Sequence, residues 1–291
     1  MKENKIAFVI NPVAGGKKKE NIIKLISENL SPQTAYDIFV WEEKNNFHEI
    51  QRQITSGKYQ TVVAVGGDGT VNEVAKNLAN TGINFGIIPR GSGNGLARTL
   101  GIPQKTRQAI QNLERGRVKV IDQGFINDKA FFCTSGIGFD AHIGKLFASS
   151  KKRGLSSYFK ITVQELLRYR AKSYEISANG NTFKTKAFLI TFANAGQYGN
   201  DFYIAPQARV DDGQLHVAIM KPFSPVSVWP LLTRILAKKA HTSAKIQTFT
   251  TQLLKVNLLG ADAIHYDGEP GSSSNAEIVV RIQPAALRII C

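Results

Sequence analysis

Short apolar runs separated by polar and glycine-rich stretches recur through the first third of the chain. IAFVI (6–10), YDIFVW (36–41), TVVAV (61–65) and FGIIP (85–89) have the length and composition of buried strands. A polar helical stretch follows the first run. FHEIQRQI (47–54) and VNEVAKNLA (71–79) carry apolar residues at helical spacing. Alternating strands and helices imply parallel strands joined by crossovers, and short continuous apolar runs suit strands covered on both faces. Residues 1–123 therefore read as a doubly wound α/β domain. Thr70 and Glu73 have the spacing of a capping box, which predicts a helix start at Thr70 with Val71, Val74, Ala75 and Leu78 as its apolar stripe.

After VKVID (118–122) the pattern changes to repeated β-rich runs: KAFFCTSGIGF, KTKAFLITFANA, QLHVAIM and AEIVVRI. Asn179-Gly180-Asn181 has hairpin-turn chemistry between two such runs. YFKITVQELLRYR (158–170) and VWPLLTRILAKKA (228–240) interrupt them as helices with basic residues late in each segment. Residues 124–291 read as a second, mainly antiparallel β domain.

Composition narrows the class. The chain has 291 residues, 43% of them hydrophobic, which is ample for packed cores. Two cysteines, Cys133 and Cys291, form neither a disulfide framework nor a metal-spaced pair, so a reducing cytoplasm is expected. The opening MKENKIAFVI lacks signal-peptide character, and no run approaches the roughly 20 apolar residues of a spanning helix. A soluble or peripheral protein is expected. The formal net charge of +15 favours polyanions or anionic surfaces.

The candidate chemistry lies at the strand ends. Gly66, Gly67, Asp68 and Gly69 follow TVVAV; Gly91, Ser92, Gly93, Asn94 and Gly95 follow FGIIP; Asn11, Gly15 and Gly16 follow IAFVI. Glycine in such places serves a positive φ or a close approach. Carboxyl ends of parallel strands are where open α/β sheets bind ligands, and helix-start N–H groups receive phosphate oxygens. Any one cluster alone is an ordinary strand-to-helix turn; three at consecutive strand ends point to one shared ligand. Asp68 beside phosphates implies an intervening cation such as Mg²⁺.

NPVAGGKK (11–18), GGDGTVNEV (66–74), PRGSGNGLAR (89–98), APQARVDDGQL (205–215) and HYDGEP (265–270) together resemble the diacylglycerol kinase catalytic-domain family, most closely its soluble bacterial lipid kinases. The GGDG turn by itself is shared with NAD kinases, sphingosine kinases and phosphofructokinases. The resemblance implies a phosphofructokinase/NAD-kinase-like α/β domain, a β-rich lipid-substrate domain, and an active site in the interdomain cleft. It implies that Gly66, Gly67, Asp68, Gly69, Thr70, Val71 and Asn72 surround the phosphates of ATP. Asn11, Gly91, Ser92 and Asn94 would lie on the same crevice, with Glu73 supporting the loop. Asp68 would position nucleotide-bound Mg²⁺, and Glu269 matches the general base for the lipid hydroxyl. A structural ion, Mg²⁺ or Ca²⁺, would be held by Asp212 with the backbone oxygens of Arg209 and Gln214; without the ion, Asp211-Asp212-Gly213 is good turn chemistry.

The chain departs from the family pattern at Gly95, where many diacylglycerol kinases have aspartate, and at Val40, where some relatives have a nucleotide-contacting threonine. Asp122 is the acidic position that would compensate at the crevice. The expected activity is ATP-dependent phosphorylation of a diacylglycerol- or sphingosine-like hydroxyl by a cytoplasmic enzyme, peripherally bound to the inner face of an anionic membrane. Lys151, Lys152, Arg153, Lys238 and Lys239 are candidate cationic contacts; Trp229, Leu231 and Leu232 are candidate apolar ones. The other readings are a NAD kinase-like or other soluble-alcohol kinase, and a non-enzymatic nucleotide- or nucleic-acid-binding protein. The basic residues are dispersed and no zinc-finger or RNA-recognition pattern occurs, so nucleic acid is not an expected partner. An oligomer is compatible with the sequence.

Overall fold

The computed structural model describes residues 5–12, 19–41, 47–56, 58–149, 155–166, 168–198, 202–258, 262–273 and 276–291. Gly15, Gly16, Lys151, Lys152 and Arg153 lie outside the described residues. Two compact units are present: Met1–Ile121 with Ala285–Cys291, and Asp122–Pro284. The last seven residues, which the linear pattern groups with the β-rich part, thus belong to the first unit.

The first unit runs β1 (Lys5–Ile10), α1 (Lys19–Asn29), β2 (Ala35–Val40), α2 (Phe47–Thr55), β3 (Thr61–Gly66), α3 (Asp68–Leu78), β4 (Asn84–Pro89), α4 (Gly95–Thr99) and α5 (Thr106–Arg115). β1 pairs in parallel with β2 and β3, and β3 with β4, so the strand order is 2-1-3-4. Ile6, Phe8, Ile10, Val63 and Val65 pack with Ile22 and Ile26 of α1 and with Ala109, Ile110 and Leu113 of α5. The alternate residues Ala7, Val9, Val62 and Ala64 are equally buried, so both sheet faces are covered as the uninterrupted apolar runs require. α5 is not anticipated by the linear pattern. Its sequence TRQAIQNLER is apolar only along the stripe that meets the sheet.

The chain continues through β5 (Val118–Ile126), which begins in the first unit and enters the second at Asp122, then β6 (Lys129–Phe131), β7 (Thr134–Gly138), α6 (Phe139–Ser149), α7 (Leu155–Leu166), β8 (Lys172–Ala178), β9 (Asn181–Ala187), β10 (Leu189–Ala193) and β11 (Leu215–Met220). It goes on through α8 (Val228–Leu236), β12 (Ile246–Thr251), β13 (Leu253–Leu258), β14 (Asp262–Tyr266), β15 (Glu269–Ser273) and β16 (Glu277–Ile290). Strands β12-β11-β10-β7-β14-β15 form one antiparallel sheet. β13 pairs antiparallel with β8 and β16, and β8 with β9. Ile190, Phe192, Val217 and Ile219 from the first sheet and Tyr174, Ile176, Val256 and Val280 from the other share one buried core, which makes a sandwich. β16 ends in the first unit, where Arg288 and Ile289 pair in parallel with β4.

The predicted hairpin between β8 and β9 is present, with Asn179 at φ 52° and Gly180 at φ 77°, the pair of positive values a two-residue primed turn needs. The β-rich run ending GIGF is cut short: Gly138, at φ 97°, ends β7, and Phe139 opens α6. α8 stops at Leu236 rather than 240. Lys238 adopts a left-handed φ of 59°, which ends the helical path.

Candidate functional site

Three strand ends lie side by side in the first unit. Ile10 is in register with Val65, and Gly66 with Pro89, so the residues that follow β1, β3 and β4 leave the sheet at one edge. The chain goes from β1 outward to β2 and then returns to β3 on the other side of β1. That reversal is a topological switch point, where neighbouring connections diverge and leave a crevice. Asn11 stands at the end of β1 and the GGDG turn at the end of β3, so the two flank it. The Asn11 side-chain amide donates to Thr70 Oγ1 across the gap at 3.0 Å.

The helix after the first turn begins at Asp68, not at the predicted Thr70. Gly67 is its N-cap, with φ −92° and no side-chain hydrogen bond to the helix start. Thr70 is instead buried inside the first turn as the acceptor for Asn11, and Glu73 pairs with Lys76. The predicted apolar stripe of Val71, Val74, Ala75 and Leu78 is buried. The missing side-chain cap leaves the first N–H groups of an eleven-residue helix for a ligand or water.

Gly66, Gly67, Gly91 and Gly93 answer to packing, not to positive φ. A Cβ on Gly91 would lie 2.7 Å from Gly67 Cα, and one on Gly66 would strike the Thr70 side chain at 2.5 Å. The two glycine turns are thus in backbone contact. Asp68 completes the junction: its carboxylate accepts the N–H groups of Asn94 at 2.8 Å and Gly95 at 2.7 Å, holding the start of α4. A Cβ on Gly93 would meet the same carboxylate at 2.7 Å. Asn94, left-handed at φ 52°, exchanges two side-chain hydrogen bonds with the Gly91 backbone at 2.9 and 3.0 Å. No acid occurs in α4, so with glycine at 95 no second carboxylate from that helix stands beside Asp68. Ser92 is exposed at the tip of the turn. Arg90, inside PRGSGNGLAR but given no role from the sequence, follows Pro89; burial pushes its guanidinium below the ordinary value, and its side chain has no carboxylate partner among the described residues. A guanidinium keeps its charge under such a shift, so the turn carries a positive group.

Gly91→Ala is expected to force the two turns apart. Overpacking of this kind costs about 1–3 kcal/mol, so thermal melting should fall by several degrees while circular dichroism keeps its native shape. Unchanged melting would show that the turns do not bear on one another.

In the second unit, β14 and β15 are joined by Asp267-Gly268, at φ 48° and 81°, with Tyr266 opposite Glu269. The Asp267 carboxylate accepts three backbone N–H groups, from Phe132 at 2.7 Å, Cys133 at 2.8 Å and Thr134 at 3.0 Å. Glu269 itself is exposed and its carboxylate has no hydrogen-bond or ion-pair partner among the described residues. One acid of the DGE sequence therefore fixes the turn and the other is left chemically available. Asp267→Ala strands three amides at once. At about 1–3 kcal/mol for each unsatisfied group that stays buried, a urea midpoint shift corresponding to at least about 3 kcal/mol is expected. A polar network stands next to this hairpin: Asp140 Oδ2 lies 3.0 Å from His265 Nε2 and accepts from the Tyr198 hydroxyl at 2.7 Å. Gly136 makes room for it, since a Cβ there would be 2.8 Å from His265 Nε2.

The third motif forms a turn. Asp212 accepts the Gln214 N–H at 3.0 Å and lies 2.8 Å from His216 Nε2, while Arg209 Nε is 3.5 Å from Asp211. Asp122 is buried and accepts the Gly213 N–H at 2.7 Å. Both Asp212 oxygens are already engaged, and no group of three potential side-chain ligands occurs among the described residues. The turn closes on these hydrogen bonds, which bring Asp212, Gln214 and His216 together. Val40 ends β2 opposite Ile10.

An α/β unit with phosphate-type turns at a switch point, followed in the chain by an antiparallel sandwich, is a kinase-type architecture. The diacylglycerol kinase catalytic-domain model matches residues 5–126, and the YegS C-terminal NAD kinase beta sandwich-like domain matches residues 134–291. A probable lipid kinase YegS-like from Yersinia enterocolitica is 31% identical over 92% of this chain and 90% of its own length. A diacylglycerol kinase from Mycobacterium tuberculosis is 29% identical over 79% of this chain and 76% of its own. A crystal structure of a diacylglycerol kinase from Bacillus anthracis superposes with a TM-score of 0.75 at 21% identity, covering 99% of this chain and 96% of that one; it shows the shared fold. The chain belongs to the diacylglycerol kinase catalytic-domain family, in its YegS-like lipid kinase branch.

Proposed function

We propose that this chain transfers the γ-phosphate of ATP to the hydroxyl of a membrane lipid. The observation that carries the reading is the arrangement of Asn11, the GGDG turn and the GSGN turn around the switch point, with the uncapped start of α3 aimed at that edge. Backbone N–H groups there bind phosphate oxygens, the Asp68 bridge keeps both turns at a fixed spacing, and Arg90 adds positive charge. Gly66, Gly67, Gly69, Thr70, Val71, Asn72, Gly91, Ser92 and Asn94 line or support that cradle. Mg²⁺ that travels with the nucleotide is held mostly by phosphates and water, asks of the protein little more than a carboxylate such as Asp68, and supplies charge neutralisation.

The acceptor hydroxyl gives its proton to Glu269. Its oxygen forms the new P–O bond to the γ-phosphorus, the bond from that phosphorus to the β,γ-bridging oxygen breaks, and ADP leaves with the electron pair. A carboxylate with no competing partner, on a hairpin clamped by Asp267, suits this role because the base must be both free and positioned. The excess of basic residues favours an anionic membrane as the place where the lipid is met. No helix among the described residues is long and apolar enough to cross a membrane.

The test is incubation with γ-labelled ATP and a total lipid extract dispersed in nonionic detergent, followed by separation of organic and aqueous phases. Label in an organic-phase lipid is expected. Label only in a water-soluble alcohol, with NAD included among the acceptors, would replace the reading by that of a soluble-alcohol kinase; no transfer to either would end it.

A further inference from the structure

Between Asp212 and Asp262 the sequence contains no aspartate or glutamate, while Lys221, Arg234, Lys238, Lys239, Lys245 and Lys255 fall within it. Lys255 pairs with Glu277 at 3.3 Å. The other five are exposed and have no ion pair among the described residues. This stretch carries α8 and the short 3-10 turn Pro225–Ser227 before it.

α8 has two unlike faces. Leu231 and Ile235 turn inward and join Met220, Ala240 and Ile246 in a buried cluster, which removes Leu231 from the candidate surface contacts. Trp229 is 73% exposed and Leu236 49% exposed; with half-buried Leu232 they follow the i, i+3, i+7 spacing of one outward stripe. Val226, 84% exposed on the preceding turn, extends the stripe beyond the helix start. An exposed indole with aliphatic neighbours is expensive to leave in water and is suited to the boundary between headgroups and acyl chains.

We infer that the Val226–Trp229–Leu236 stripe is an interfacial anchor that seats this unit on an anionic phospholipid bilayer. The inference rests on the lipid kinase reading for its purpose, but its geometry and its test do not depend on turnover. Charge decides among occupants. A second copy docked through the same stretch would bring one acid-free basic segment against another, and a nucleic acid would satisfy the cations while leaving Val226, Trp229 and Leu236 in water. A bilayer containing anionic lipid satisfies both, each cation near its surface strengthening binding about fivefold.

The experiment uses the full chain with Trp41→Phe, which leaves Trp229 as the sole tryptophan, and vesicles of phosphatidylcholine with or without phosphatidylglycerol. With the anionic vesicles, Trp229 emission should shift to the blue and be quenched by bromine-labelled acyl chains; neutral vesicles should give at least tenfold weaker binding. Trp229→Asp and the pair Lys238→Glu, Lys239→Glu should each reduce sedimentation with anionic vesicles at least tenfold, with unchanged circular dichroism. Binding with unshifted emission, or binding indifferent to Trp229→Asp, overturns the proposal. So does a blue shift that follows protein concentration without lipid, because the stripe is then a self-interface. In detergent dispersion Trp229→Asp should phosphorylate lipid at the parental rate and lose turnover only on vesicles. If neither protein phosphorylates lipid while Trp229 still inserts, the anchor stands and the kinase reading falls.

Discussion

Asp68→Asn is expected to lower kcat/KM by about a hundredfold or more while leaving a folded protein. The carboxylate accepts two backbone N–H groups, from Asn94 and Gly95, one on each oxygen. An amide offers one acceptor, and its NH₂ group must face the other N–H, so one bond becomes a donor–donor contact and the second loses its charge assistance. Hydrogen bonds to charged groups are worth roughly 1.5–3 kcal/mol each, and the loss falls on the spacing between the two turns proposed to grip the phosphates. On the proposed reading, Asp68→Asn also removes the charge assigned to the nucleotide's cation, so chemistry and nucleotide affinity should fall together. Steady-state kinetics and calorimetric titration with a non-hydrolysable ATP analogue read the two effects, and amide exchange at Gly95 should accelerate in the same variant. Parental rates with parental exchange would remove Asp68 from both the junction and the chemistry.

Glu269→Gln separates chemistry from binding. The residue is exposed and without a partner among the described residues, so the substitution should change stability by no more than about 0.5 kcal/mol. A glutamine has no basic oxygen strong enough to accept the hydroxyl proton, and general-base assistance is worth roughly 10²–10⁴-fold. The expected result is therefore a kcat lower by about two orders of magnitude or more, with nucleotide affinity within about twofold of the parent. Weakened nucleotide binding with unchanged kcat would assign the proton to another group. Asp267→Ala is the matched control: it should lower stability, which Glu269→Gln leaves intact.

Much of this architecture is legible locally. The strands of the first unit coincide with the apolar runs to within a residue or two, because a strand buried on both faces must be apolar throughout its length. The Asn179-Gly180 hairpin is equally readable, since the turn geometry demands residues that tolerate positive φ. α5 and α6 are not. The first is polar everywhere but its inner stripe, and the second opens on Phe139 directly after a strand, where an apolar run hides the change from period 2 to period 3.6. The capping-box spacing of Thr70 and Glu73 predicts a start two residues late because Thr70 is claimed by Asn11, 59 positions away.

The sequence by itself determined most of the element types, the glycine turns after β3 and β4, the presence of a DGE segment and the family. The tertiary structure decided what the individual residues of those motifs do. Asp68 was legible as a charge in a glycine turn, but only folding revealed it as the bond between turns 26 positions apart; Asp267 became a clamp through amides 133 to 135 positions away. α8 read as a helix from its letters, yet which of Trp229 and Leu231 meets solvent depended on the sheet beneath it. The reason is one of range. Periodicity and turn chemistry are consequences of backbone geometry over a few residues, whereas a side chain's partner is chosen by whichever distant segment packing brings within about 3 Å.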